Sequence, residues 1–117
     1  MVYLIDDDLH IRRAFELFLK SADMPYQSFK NADEFFSGTQ LTEKDVVVLD
    51  LNLPGISGAE ILLKIYQTVP KNNVIVVTAN DEPLTREYCK EFGVKAFLRK
   101  PVDSEALIDI IRYSLSA

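Results

Sequence analysis

Five short apolar runs punctuate this chain, and an amphipathic segment with the spacing of a helix follows each of them. The runs are Val2-Tyr3-Leu4-Ile5, a weaker one around residues 26 to 29, Val46-Val47-Val48-Leu49, Val74-Ile75-Val76-Val77 and Ala96-Phe97-Leu98. An unbroken run rich in β-branched residues reads as a strand buried on both faces. In the first helical segment Ile11, Ala14, Phe15, Phe18 and Ala22 recur at helical spacing, while Arg12, Arg13, Glu16 and Lys20 form the polar face. Asn31 with Glu34 predicts an N-cap for a short second helix ending near Gly38, and Ser57-Gly58-Ala59-Glu60 predicts a capping box opening the third. Ile61, Leu62 and Ile65 give that third helix its apolar side. Gly93 is placed to cap the fourth helix, and Asp103 or Ser104 the fifth, with Leu107, Ile110, Ile111 and Leu115 inward.

Alternating strands and helices predict an α/β fold with a parallel sheet, and five strands buried on both sides require helices on both faces. A doubly wound five-stranded sheet of order 2-1-3-4-5 is the expectation. That order makes strands one and three neighbours. Both end in aspartate: Ile5 runs into Asp6-Asp7-Asp8, and Leu49 into Asp50. Open α/β sheets bind ligands at the carboxyl ends of their strands, so Asp6, Asp7 and Asp50 should converge there, joined by Thr78 and Lys100 from strands four and five. Asp8 is expected to cap the first helix.

The 117 residues suffice for one domain with a real core, and no apolar stretch approaches the roughly 20 residues that span a bilayer. A formal charge of −5 argues against a nucleic-acid surface, and no basic stripe offsets it. The single cysteine, Cys89, excludes an internal disulfide and is read as a half-buried helix thiol; a cytoplasmic location is expected. The lone His10, read as solvated, and Cys89 cannot build a zinc site. Three carboxylates suit a hard, partly hydrated cation such as Mg²⁺. Such a site beside an ammonium and a hydroxyl suits phosphoryl chemistry, with one carboxylate available as nucleophile.

Four stretches in order at strand ends carry a specific resemblance: Leu4-Ile5-Asp6-Asp7-Asp8, residues 47–58 from Val47 through Asp50 and Pro54-Gly55 to Gly58, Val76-Val77-Thr78-Ala79, and Phe97-Leu98-Arg99-Lys100-Pro101. The chain resembles, over essentially all of residues 1–117, the receiver domain of two-component response regulators. The resemblance implies a flavodoxin-like three-layer sandwich that acts as a signalling domain rather than an enzyme, with only self-phosphorylation and autodephosphorylation. It implies Asp50 as phosphoacceptor from a histidine kinase or histidine phosphotransfer protein, and Asp7 as direct Mg²⁺ ligand. Asp6 would act mainly through metal-bound water, and the Asn52 carbonyl would complete the protein ligands. It further implies Lys100 as the cation that meets the phosphoryl oxygen, Thr78 as the switch hydroxyl, Phe97 as the aromatic that turns with it, and Ala79 as the small residue beside the phosphoryl group. The Lys100–Pro101 bond is expected to be cis. Asn52 and Asn80 occupy positions that in the family tune hydrolysis of the acyl phosphate. Helix four, strand five and helix five are the expected surface for a homodimer or an output domain, without direct nucleic-acid or membrane contact. Phe92-Gly93-Val94 departs from the small residues common before strand five in the family, with altered packing under helix four as the expected consequence.

A haloacid dehalogenase-like Mg²⁺-dependent phosphatase would also use a strand-end aspartate, but needs a second aspartate where Asn52 stands. A flavodoxin-like cofactor domain needs a phosphate-cradling loop after strand one, where Asp6-Asp7-Asp8 would repel phosphate. A receiver used only for dimerisation would tend to lose the residues kept here.

Overall fold

The computed structural model describes residues 1–79 and 82–116; Asn80, expected to tune hydrolysis, lies outside the described residues. The elements run β1 (Val2–Ile5), α1 (Leu9–Ser21), β2 (Tyr26–Phe29), α2 (Ala32–Gly38), β3 (Val46–Leu49), α3 (Gly58–Thr68), β4 (Val74–Thr78), α4 (Pro83–Glu91), β5 (Ala96–Arg99) and α5 (Ser104–Ser116). The strands form one parallel sheet of order β2-β1-β3-β4-β5, as the alternation predicts.

Successive strand residues face opposite sides, and the core divides accordingly. Tyr3, Ile5, Val47, Leu49 and Val76 pack with Phe35 of α2, Ile61 and Ile65 of α3, and Cys89 of α4. Val2, Leu4, Val46, Val48, Ile75 and Val77 pack on the other side with Phe15 and Leu19 of α1 and Leu107, Ile108 and Ile111 of α5. The middle strands β1, β3 and β4 are buried throughout; β2, at the sheet edge, is not, which explains its weak apolar signal.

Two expectations need correction. Leu115 is 40% exposed, because the buried face of α5 runs through Leu107, Ile108, Ile111 and Ser114, and Leu115 stands one position round the helix from it. Cys89 is fully buried rather than half-buried, since α4 presses it against the face that carries Ile61 and Val76.

The caps follow local chemistry. Asp8 Oδ1 accepts from the amides of His10 and Ile11 at 2.9 and 3.1 Å, Asn31 Oδ1 from Glu34 at 2.8 Å, Ser57 Oγ from Glu60 at 3.2 Å, and Asp103 Oδ1 from Glu105 at 3.1 Å. Gly93, at φ 71°, closes α4: its amide donates to the Lys90 carbonyl and that of Val94 to the Cys89 carbonyl. Asp23, at φ 56°, ends α1 with the same bond pattern, where glycine would be the unstrained choice. Phe92 and Val94 pack partly buried against the core, and Phe92 meets Tyr66 at 6.3 Å between ring centroids.

The register positions the sheet edge. Ile5 pairs with Leu49, so Asp6 and Asp50 emerge side by side; Thr78 pairs with Arg99, so Lys100 follows directly beside it.

Candidate functional site

Each group at this edge is held by the strand end that delivers it. The Asp6 amide donates to the Phe29 carbonyl at 3.1 Å, the Asp50 amide to the Ile5 carbonyl at 3.0 Å, and the Lys100 amide to the Thr78 carbonyl at 3.0 Å. These bonds continue the sheet ladder one residue past each strand. The side chains therefore leave the core with fixed directions.

Asp6 and Asp50 are buried, Asp7 is exposed, and carboxylate oxygens of all three lie within 4.8 Å of one another. Lys100 Nζ bridges two of them, 2.9 Å from Asp6 Oδ2 and 3.0 Å from Asp50 Oδ2. Burial pushes the Asp6 carboxyl above its ordinary range, opposed by the bond from Lys100 and the amide of Asp8, while the charge of Asp50 adds to the rise. Burial alone would lower the Lys100 ammonium, but its bonds to Asp6 and Asp50 outweigh that and hold it above its ordinary value. Three carboxylates against one ammonium leave a net negative cluster. Its donors are oxygens, with neither His nor Cys among them, which fits a hard divalent cation.

The loop after β3 joins the cluster through Asn52. Its amide donates to Asp50 Oδ1 at 3.0 Å, while its Nδ2 donates to Thr78 Oγ1 at 3.1 Å. Thr78 is fully buried, and Ala79 beyond it is exposed. Phe97 lies on the neighbouring strand, partly buried, with the Arg86 guanidinium of α4 over its ring at 4.7 Å from the centroid. The Lys100–Pro101 peptide bond is cis. Thus Asp6, Asp7, Asp50, Asn52, Thr78 and Lys100 meet at one edge, with Ala79 at its rim and Phe97 one strand over.

Arg12 escaped the sequence analysis. Expected on the polar face of α1, it folds back so that Nη1 donates to the main-chain carbonyl of Asp6 at 2.8 Å. Helical periodicity placed it correctly on the helix and gave no sign of this return contact. His10 is exposed, as expected.

Fold and site together define a receiver of the kind that ends two-component signalling. Residues 2–112 match the family model described as the response regulator receiver domain, and the chain belongs to that family. It is 34% identical over 115 residues to the transcriptional regulatory protein FixJ of Azorhizobium caulinodans, covering 97% of this chain and 54% of FixJ. It is likewise 34% identical to the C4-dicarboxylate transport transcriptional regulatory protein DctD of Pseudomonas aeruginosa, covering 97% of this chain and 25% of DctD. The chain thus spans about half the length of the first relative and a quarter of the second. Among solved structures, a CheY-like receiver domain protein from Methanospirillum hungatei superposes with TM-score 0.89 over 98% of this chain and 92% of its own, at 22% identity. The BeF3-activated receiver domain of DrrB, a Thermotoga maritima protein, gives TM-score 0.88 at 27% identity over 99% and 97% of the two chains. The haloacid dehalogenase alternative finds no support. Among the described residues, no helix is long and apolar enough to cross a membrane.

Proposed function

We propose that Asp50 accepts a phosphoryl group from the phosphohistidine of a partner kinase or phosphotransfer protein, and that the resulting charge moves Thr78 and Phe97. The single observation that carries the proposal is the Lys100 ammonium held at 2.9 and 3.0 Å between the carboxylates of Asp6 and Asp50. One oxygen of Asp50 attacks phosphorus, the P–N bond breaks, and its electron pair stays on the departing imidazole; an acyl phosphate forms on Asp50. Asp6, Asp7, Asp50 and the Asn52 carbonyl would hold Mg²⁺, which when bound neutralises charge on the phosphoryl oxygens.

Lys100 is the cation available to meet the arriving oxygens, and the exposed Ala79 leaves its backbone approachable from the same side. Thr78 would exchange its bond from Asn52 for one to the phosphoryl oxygen. Phe97 would follow it inward, drawing away from Arg86 and remodelling the face of α4, β5 and α5. That face is the proposed contact for a homodimer or an output domain. Relatives more than three times as long as the matched segment support an output domain elsewhere in the protein. The domain acts as a signalling switch in the cytoplasm, with no substrate turnover beyond its own phosphorylation and dephosphorylation.

Intact mass after treatment with acetyl phosphate and Mg²⁺ tests the assignment. One added phosphoryl group, labile to hydroxylamine and lost in Asp50→Asn, is the expected result. An Asp50→Asn chain that still gains the group, with no other aspartate accepting it, would refute it. The activated form of the DrrB domain makes beryllofluoride a suitable stable probe of the switched state.

A further inference from the structure

Asp6 is bonded at every polar group it has. Its amide donates to Phe29, its Oδ1 accepts from the Asp8 amide at 2.9 Å, its Oδ2 from Lys100 at 2.9 Å, and its carbonyl from Arg12 at 2.8 Å. Asp7 is different. It is exposed, and its carboxylate direction depends on the backbone that carries it. The Asp6 carbonyl and the Asp7 amide belong to one planar peptide unit, so a bond that fixes the carbonyl also fixes the plane that carries the Asp7 Cα and narrows the directions open to its side chain. Arg12 makes that bond from a rigid base, because its own amide donates to the Asp8 carbonyl at 2.9 Å as the first rung of α1.

We propose that Arg12 is a positioning residue for the cation site: its bond to the Asp6 carbonyl sets the turn that aims Asp7 at the ion. The inference rests on the reading of Asp6 and Asp7 as ligands of a divalent cation. Its sign separates it from simple electrostatics. Arg12 carries a positive charge beside a site for a dication, so on charge alone its removal should tighten binding. A positioning role requires the opposite, because loss of the bond releases the peptide plane and the ion must then pay to order it.

The test is calorimetric titration of Mg²⁺ into the unphosphorylated chain, without a phosphodonor, for the unsubstituted protein, Arg12→Lys and Arg12→Met. The expected order of affinity is unsubstituted, then Lys, then Met, with Kd raised about fivefold in Arg12→Met for the loss of one charge-assisted bond. Lys keeps the charge and one donor and should recover part of the loss. Amide exchange at Asp8, whose N–H bonds Asp6 Oδ1, should quicken in Arg12→Met in the absence of any ion. Saturable binding that Arg12→Met leaves unchanged or tightens would overturn the inference while leaving the cation site standing. No saturable binding in the unsubstituted chain would overturn the cation site, and the inference with it.

Discussion

The side-chain amide of Asn52 donates to the hydroxyl of Thr78 across 3.1 Å, tying the loop after β3 to the end of β4 over a separation of 26 residues. The same residue donates its main-chain amide to Asp50 Oδ1, so the proposed phosphoacceptor and switch hydroxyl share one tether. If the hydroxyl leaves Asn52 when the phosphoryl group arrives, the bond stabilises only the resting state. Asn52→Ala should then lower stability by about 1 kcal/mol without beryllofluoride and by less with it. Urea unfolding of both proteins with and without the probe measures the difference. Equal losses in the two conditions would place Thr78 in the same position before and after activation.

Lys100 offsets two buried carboxylates, and its own side chain is only 15% exposed. Removing one partner from a buried ion pair leaves charge without compensation, at a cost of about 3 kcal/mol. Lys100→Met should lose that much stability in chelator. Added Mg²⁺ should recover a larger share in the variant than in the unsubstituted chain, because it restores positive charge to a more anionic cluster. Thermal melting with Mg²⁺ and with chelator checks this; curves insensitive to the ion in both proteins would count against the carboxylates as its ligands.

Gly58 opens α3 in a narrow place. A Cβ there would stand 2.9 Å from Leu51 Cδ2 and 2.9 Å from Tyr88 Oη, closer than packed atoms allow. The glycine thus lets α3 approach both the loop that follows Asp50 and the inner face of α4. Gly58→Ala should destabilise by about 1 to 3 kcal/mol through overpacking, despite the better helix propensity of alanine. Tyr88→Phe in the same chain removes one of the three obstructing atoms, leaving Cδ2 and Cβ of Leu51, and should return part of the loss. A double-mutant cycle in urea tests the coupling, and additive effects would mean that α4 yields freely at this point.

The parts of this fold that could be read from sequence are those set by local pattern. β1, β3 and β4 are buried on both faces, so their residues had to be apolar without interruption, and each acidic or hydroxyl residue that ended a run marked the sheet edge. Asp8, Asn31 and Ser57 cap through bonds within three residues, which makes them legible too. Contacts that depend on how elements meet were not. Arg12 reaches back over the helix end to Asp6, and Asn52 finds Thr78 across two strands; neither contact has a sequence period. Leu115 fits the helical spacing of α5, but Ser114 beside it takes the buried place, and spacing alone does not choose between two adjacent positions at the border of a helix face. Cys89 was misjudged because a small side chain on a predominantly polar helix gives little sign of how closely that helix is packed.

The burial of Cys89 has a consequence at alkaline pH. It is 1% exposed, and that burial pushes its thiol up to about 11 from an ordinary value of 9.0. The folded chain therefore keeps the proton between those values while the unfolded chain releases it. The contribution is fully present below pH 9, and it is lost as pH rises through 11, to a limit of about 2 to 3 kcal/mol. Tyr3 and Tyr88 are raised from 10.0, each chiefly by burial, and add to the loss at the upper end of the same window. Comparison with Cys89→Ala isolates the thiol: urea midpoints should fall from pH 9 to 10.5 more steeply in the unsubstituted chain than in the variant. At pH 8 the folded thiol should resist iodoacetamide and react only as urea opens the domain. Parallel pH profiles for the two proteins, or rapid alkylation of the folded chain, would show that α4 lifts readily from the sheet and that Cys89 meets solvent in the native state.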